Sequence, residues 1–231
     1  MIDSSPIIIT GVPRSGSSIV AGIVNLCGAF GGDMRLHPGV YENGAIQRLI
    51  ENAYLESNGL DVMGQYPLPG DMNTVPLNWK KLISMQLLAE GYKKGVWMYK
   101  SARAGLLWRV WNHTYPNAKW LIVRRRTGDI IESCMKTGYM SAFKSPENCE
   151  KIGVKTEEEG WLWMIHEYEK RFVDMMTEGV NCKVVWPERM VNGDYRQIYE
   201  ALDWIGLPWK PQVLTLADEL LNTSRKKERR T

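Results

Sequence analysis

The chain has 231 residues, 44% hydrophobic and 24% charged, with a formal net charge of +3. That length suits one domain (1–231) with a sizeable core, and the composition is that of a globular protein rather than a fibrous one. The small net charge gives no argument for a nucleic-acid partner.

The first apolar run, Pro6-Ile7-Ile8-Ile9-Thr10, predicts a buried strand over Ile7–Thr10. With strand-like sequence so close to Met1, no signal or transit peptide is expected. Gly11-Val12-Pro13-Arg14-Ser15-Gly16-Ser17-Ser18 follows, and the apolar pattern Ile19, Val20, Ile23, Val24 predicts a helix over 16–27. A strand entering a Gly-rich turn that opens a helix aims backbone N–H groups at an anion. The spacing is that of a Walker A loop, G-x4-G-K-[ST], with Ser17 where the lysine belongs. Arg14 is the loop's only cation. An anion site is kept while the usual ATP γ-phosphate contact is missing, so a donor other than ATP is expected.

Helices are predicted over 43–57 and 78–93, separated by a Pro- and Gly-rich loop, 59–78. A strand at Val96–Tyr99, a helix over 103–114 and a strand at Trp120–Val123 come next. This last strand ends in Arg124-Arg125-Arg126, where a Walker B strand would end in a magnesium-binding carboxylate. Guanidinium suits forked phosphate recognition, so the three arginines predict a second phosphate site. A helix over 128–138 follows, with Thr127 or Asp129 able to cap it and Ser133 about one turn further in. The polar stretch 139–159, broken by Pro146 and Gly153, reads as a second long loop. Loops of that length are uncommon in compact domains unless they bind something or are disordered.

A helix over 158–178, a strand at Lys183–Trp186, helices over 195–205 and 211–222 and a solvated basic tail, 223–231, complete the chain. Strands alternating with helices predict an α/β three-layer sandwich with a central parallel sheet and ligands at the strands' C-terminal ends. No apolar run approaches a membrane span. Cys27, Cys134, Cys149 and Cys182 lack a C-x-x-C pairing and read as free thiols of a reducing, cytoplasmic compartment. His37, His113 and His166 are scattered without metal-ligand spacing, so no metal is expected.

In order and spacing these motifs resemble a family, the sulfotransferases that use 3′-phosphoadenosine 5′-phosphosulfate (PAPS), in their bacterial form. Pro13-Arg14-Ser15-Gly16-Ser17-Ser18 is similar to the family's 5′-phosphosulfate loop, P-R-S-G-[TS]-[ST]. Arg125, Asp129 and Ser133 reproduce its second signature, in which the Arg and Ser hold the 3′-phosphate. Val184-Val185-Trp186-Pro187-Glu188-Arg189-Met190 and Leu202-Asp203-Trp204-Ile205-Gly206-Leu207-Pro208 resemble its later strand–turn and helix-end motifs. The resemblance implies a P-loop nucleoside triphosphate hydrolase-like fold, PAPS as donor, the 3′,5′-bisphosphate PAP as product, and no metal. It also implies that Lys100 neutralises the leaving phosphate, a role that a lysine at a neighbouring strand end could fill.

Two departures stand out. The cytosolic branch carries K-T-H, whose His is the base, whereas this chain reads Lys100-Ser101-Ala102. With Arg103 that run is a degraded form of the bacterial K-D-P-R. Bacterial relatives place a Glu in a turn matched by Val40-Tyr41-Glu42-Asn43, so Glu42 is the first choice of base and His37 the second. The acceptor is expected to be a small molecule or glycan met by loops 59–78 and 139–159. A non-catalytic nucleotide-binding module and a P-loop kinase or NTPase remain as alternatives.

Overall fold

A computed structural model describes all residues except 1, 3, 35–38, 67–73, 75 and 220–231. Four parallel strands, β1 (Ile7–Gly11), β2 (Met98–Lys100), β3 (Lys119–Val123) and β4 (Cys182–Val185), form one sheet in the order β2-β1-β3-β4. Ile9 pairs with Lys100 on one side of β1 and with Leu121 on the other. The chain therefore crosses β1 between β2 and β3, and the C-terminal end of β1 is the switch point where such sheets open a ligand crevice.

Side-chain alternation builds the two helical layers. Ile8, Trp120 and Ile122 face a core completed by Trp111, Trp161 and Phe172. Ile7, Ile9, Leu121 and Val123 face the other, with Val20, Val24, Ile198 and Leu202. The helices are α1 (Ser17–Leu26), α2 (Gly44–Ile46), α3 (Ala53–Ser57), α4 (Trp79–Ala89), α5 (Ala102–Leu106), α6 (Trp108–Thr114), α7 (Thr127–Lys136), α8 (Pro146–Lys151), α9 (Glu157–Thr177), α10 (Pro187–Val191) and α11 (Arg196–Ile205). Residues 212–219 are also helical, within the stretch expected over 211–222, whereas the tail 223–231 lies outside the described residues.

The expected three-layer α/β architecture is present, with local corrections. The helix expected over 43–57 contains a π-helical segment, Gln47–Asn52, between α2 and α3. The one expected over 103–114 breaks at Leu107 into α5 and α6. The stretch 139–159 is largely ordered as a 3-10 turn, Ala142–Lys144, and α8, in which Pro146 sits at the helix start where its missing N–H costs nothing. A capping box between Thr156 and Glu159 then starts α9. β2 begins at Met98; Trp97, just before it, accepts from Ile7 N of β1 and forms an isolated bridge with Phe30. α10 carries no sequence signal beyond Pro187.

Candidate functional site

β1 delivers the chain into the Gly-rich turn 11–18, the expected phosphate loop, at the switch point. Ser15 N donates to Val12 O at 2.9 Å, and Gly16 caps α1 in the left-handed region, at φ 89°. Glycine is needed at Gly11 for another reason. A Cβ there would lie 2.3 Å from the Val123 carbonyl oxygen, so only a bare backbone lets β1 pass β3 this closely. Arg14 holds φ 72°, an uncommon conformation for a residue with a side chain and one enriched at functional sites. The Ser15 hydroxyl is buried and meets no hydrogen-bond partner among the described residues. Pro13 to Ser18 line a cavity of about 880 Å³.

The end of β3 and helix α7 close over this loop. Arg125 Nη1 donates to Arg14 O at 3.3 Å, and Arg125 also faces Asp129 at 3.8 Å. Arg14 Nε donates to Ser133 Oγ at 2.9 Å and its Nη1 to Tyr139 Oη at 3.0 Å. Arg125 lines the cavity, whereas Ser133 sits behind Arg14, buried, and does not.

Two details correct the sequence reading. Arg124 takes no part in the site, because both its Nε and Nη2 bind the Glu169 carboxylate of α9 and its guanidinium lies 5.3 Å from the Trp186 ring. Neither Thr127 nor Asp129 caps α7, which is preceded by Arg126 without a side-chain cap; the Arg126 N–H donates to Glu188 instead.

At the end of β2, Lys100 Nζ lies 2.6 Å from Glu42 Oε1, with side-chain exposures of 7% and 19%. Gln47 Nε2 holds the other Glu42 oxygen at 3.2 Å. Asn43 fixes the turn by accepting from Ile46 N and donating to Glu90. Lys100 and Glu42 both face the cavity that the phosphate loop lines, so segments 58 residues apart converge on one space. His37 lies outside the described residues.

Sequence reasoning missed a charged cluster beside this pair. Glu51, in the π-helical segment, is fully buried and accepts from Ser101 Oγ at 2.7 Å and Trp111 Nε1 at 3.1 Å. Arg103 Nε stands 3.6 Å from it, while Arg103 Nη1 donates to Asn52 Oδ1 and the Val62 carbonyl. Burial pushes the Glu51 carboxyl above its ordinary value, against the pull of Arg103 and its hydrogen-bond donors. A carboxylate among Ile50, Tyr54 and Leu55 on an apolar helix face was the available signal.

The two long loops meet through one side chain. Gln65 is buried, donates from Nε2 to Tyr139 O at 2.9 Å, and accepts at Oε1 from Ser141 N and Ala142 N. Asp61 organises its own segment by accepting from Met63, Gln65 and Tyr66 N–H groups. Val62, Met63, Tyr139 and Met140, with Gln65 between them, line the cavity from these loops.

A parallel sheet whose central strand feeds a phosphate loop, with helices on both faces, defines a P-loop-type α/β fold of the sulfotransferase kind. Among solved structures the chain is similar to the sulfotransferase STF9 from Mycobacterium avium, with a TM-score of 0.57 and 11% identity over 96% of this chain and 69% of that one. At that identity the likeness is one of fold. No protein-family model matches the chain, and no curated protein matches it in sequence.

Proposed function

We propose that the protein is a sulfotransferase that uses PAPS to modify a hydroxyl or amine acceptor. The observation carrying this reading is the convergence on one cavity of a lysine-less phosphate loop, Arg125 and the Lys100–Glu42 pair. The donor set fits such a ligand. Its anionic groups would meet the loop N–H groups, hydroxyls of Ser17 and Ser18, and the guanidiniums of Arg14 and Arg125. The cavity volume falls within the range of about 300–1,000 Å³ usual for small-molecule sites.

PAPS, when bound, supplies an activated sulfuryl group and a phosphate leaving group. The chain's task is to align the acceptor, offset developing negative charge and hold a proton. Arg14, Ser17 and Ser18 would hold the 5′ end, and Arg125 the 3′-phosphate, with Ser133 anchoring Arg14 from behind rather than meeting the phosphate. Lys100 offsets charge on the leaving side. Glu42 takes the acceptor's proton, with His37 the alternative.

Thermal-shift measurements without magnesium test the reading, since ligand at about 100 times its Kd adds about 2.7 kcal/mol of stability. PAP is expected to bind at least tenfold more tightly than AMP, because a hydrogen bond to a charged group is worth about 1.5–3 kcal/mol. Equal binding of PAP and AMP would remove the 3′-phosphate assignment, and a preference for magnesium–ATP would point to a kinase or NTPase. PAP binding with no turnover on any acceptor would leave a non-catalytic module.

A further inference from the structure

The proposed reaction uses Lys100 and Glu42 but not Arg103, which lines the same cavity about one helical turn further along the chain. Arg103 is 91% buried by its 9% exposure, an expensive position for a charge whose surroundings do not fully compensate it. Its Nη1 is spent on two neutral acceptors, Asn52 Oδ1 and the Val62 carbonyl. Glu51 stands at 3.6 Å, beyond hydrogen-bond range, and accepts its hydrogen bonds from Ser101 and Trp111. Among the described residues no acceptor meets Arg103 Nη2. Asn52 and Val62, which hold the guanidinium, line the same cavity, as does Met63.

We propose that Arg103 binds a carboxylate on the acceptor, so that the substrate class is a hydroxy (or amino) carboxylate held by its acid group while its nucleophile faces Glu42. A monoanion fits better than a dianion, because Glu51 already offsets part of the guanidinium's charge and one nitrogen remains to donate. A small aromatic hydroxy acid, compact enough to share a cavity of about 880 Å³ with the donor, is the simplest such acceptor. The proposal rests on this cavity being the transfer site.

Titration of the PAP-loaded protein with 4-hydroxyphenylacetate and 4-hydroxyphenylacetamide tests it, followed by tryptophan fluorescence or calorimetry. The acid should bind at least tenfold more tightly than the amide. Arg103→Gln alone leaves a buried carboxylate without its cation, so the decisive variants are Arg103→Gln/Glu51→Gln and Asn52→Asp. The first removes both charges, and the second sets a competing carboxylate against Nη1. Each should reduce the acid preference to below threefold while PAP still binds. Equal binding of acid and amide by the parent, survival of the preference in both variants, or tighter binding of 4-hydroxyphenyl phosphate than of the acid would overturn the proposal. If PAP itself fails to bind, the donor reading falls, and the acid–amide comparison on the nucleotide-free protein still decides the role of Arg103.

Discussion

Replacing Glu42 by Gln separates what the Lys100–Glu42 contact does for the fold from what it does for turnover. The 2.6 Å contact joins a nearly buried ammonium to a carboxylate that is only 19% exposed. Gln keeps the shape and an oxygen for Lys100, but turns a charge-assisted hydrogen bond into a neutral one. Charged bonds are worth about 1.5–3 kcal/mol and neutral ones about 0.5–1.5, so the loss should be about 1–2 kcal/mol. For a chain of this size each kcal/mol moves Tm by about 2–4 °C, giving an expected fall of roughly 2–8 °C. Adding Lys100→Met should recover part of that loss, since no unpartnered buried charge then remains. Turnover should drop about 10²–10⁴-fold in Glu42→Gln, the range for loss of a general base. PAP affinity should hold or tighten, because Lys100 is freed to meet phosphate. Calorimetric melting, PAP titration and initial rates on the same preparations provide the assay. Turnover within threefold of the parent, together with the expected fall in Tm, would refute the catalytic assignment and leave a structural ion pair.

The arginines after β3 should separate cleanly. Arg125→Ala should erase the preference for PAP over AMP, whereas Arg124→Met should lower Tm and leave that preference intact; nucleotide titrations on both variants check this, and the reverse pattern would contradict the orientation of the two side chains. Glu51 should leave a signature in the pH dependence of stability. Its folded-state pKa lies above the ordinary 4.5, so the folded protein binds more protons than the unfolded chain just above that pH. Stability contributed at this site is therefore present below 4.5 and lost as pH rises through the folded value. The Tm difference between the parent and Glu51→Gln should accordingly fall as pH is raised from 4.5, and a rise would mean that Arg103 outweighs burial.

The strand–turn–helix over residues 7–26 was legible because its parts are contiguous, and their local chemistry demands one geometry. The sheet was legible because short β-branched and aromatic runs recur between helical patterns. Arg124 was misread for want of one step: consecutive residues at a strand end point to opposite faces. Arg124 shares the face of Ile122, where α9 brings Glu169, while Arg125 shares the face of Val123 and the phosphate loop. The Glu51–Arg103 cluster was harder to read. Its members are 52 positions apart and meet only after the sheet has formed, and nothing in the periodicity from 43 to 57 marks a π-helical segment. The order within 139–159 was hidden by polar surface residues, although Phe143 and Cys149 anchor it to the core.

Gln65 joins two stretches of chain that lie 74 or more positions apart, and one amide group makes all three bonds. The wall at Val62 and Met63 and the wall at Tyr139 and Met140 are thus two sides of a single frame, hinged on a side chain that carries no charge and touches no proposed reacting group. Diversification of the acceptor pocket is correspondingly constrained. A shortened or lengthened segment on either side of Gln65 would have to be matched on the other, so new acceptor preferences in proteins built this way should arise by exchanging both stretches together rather than by drift in one.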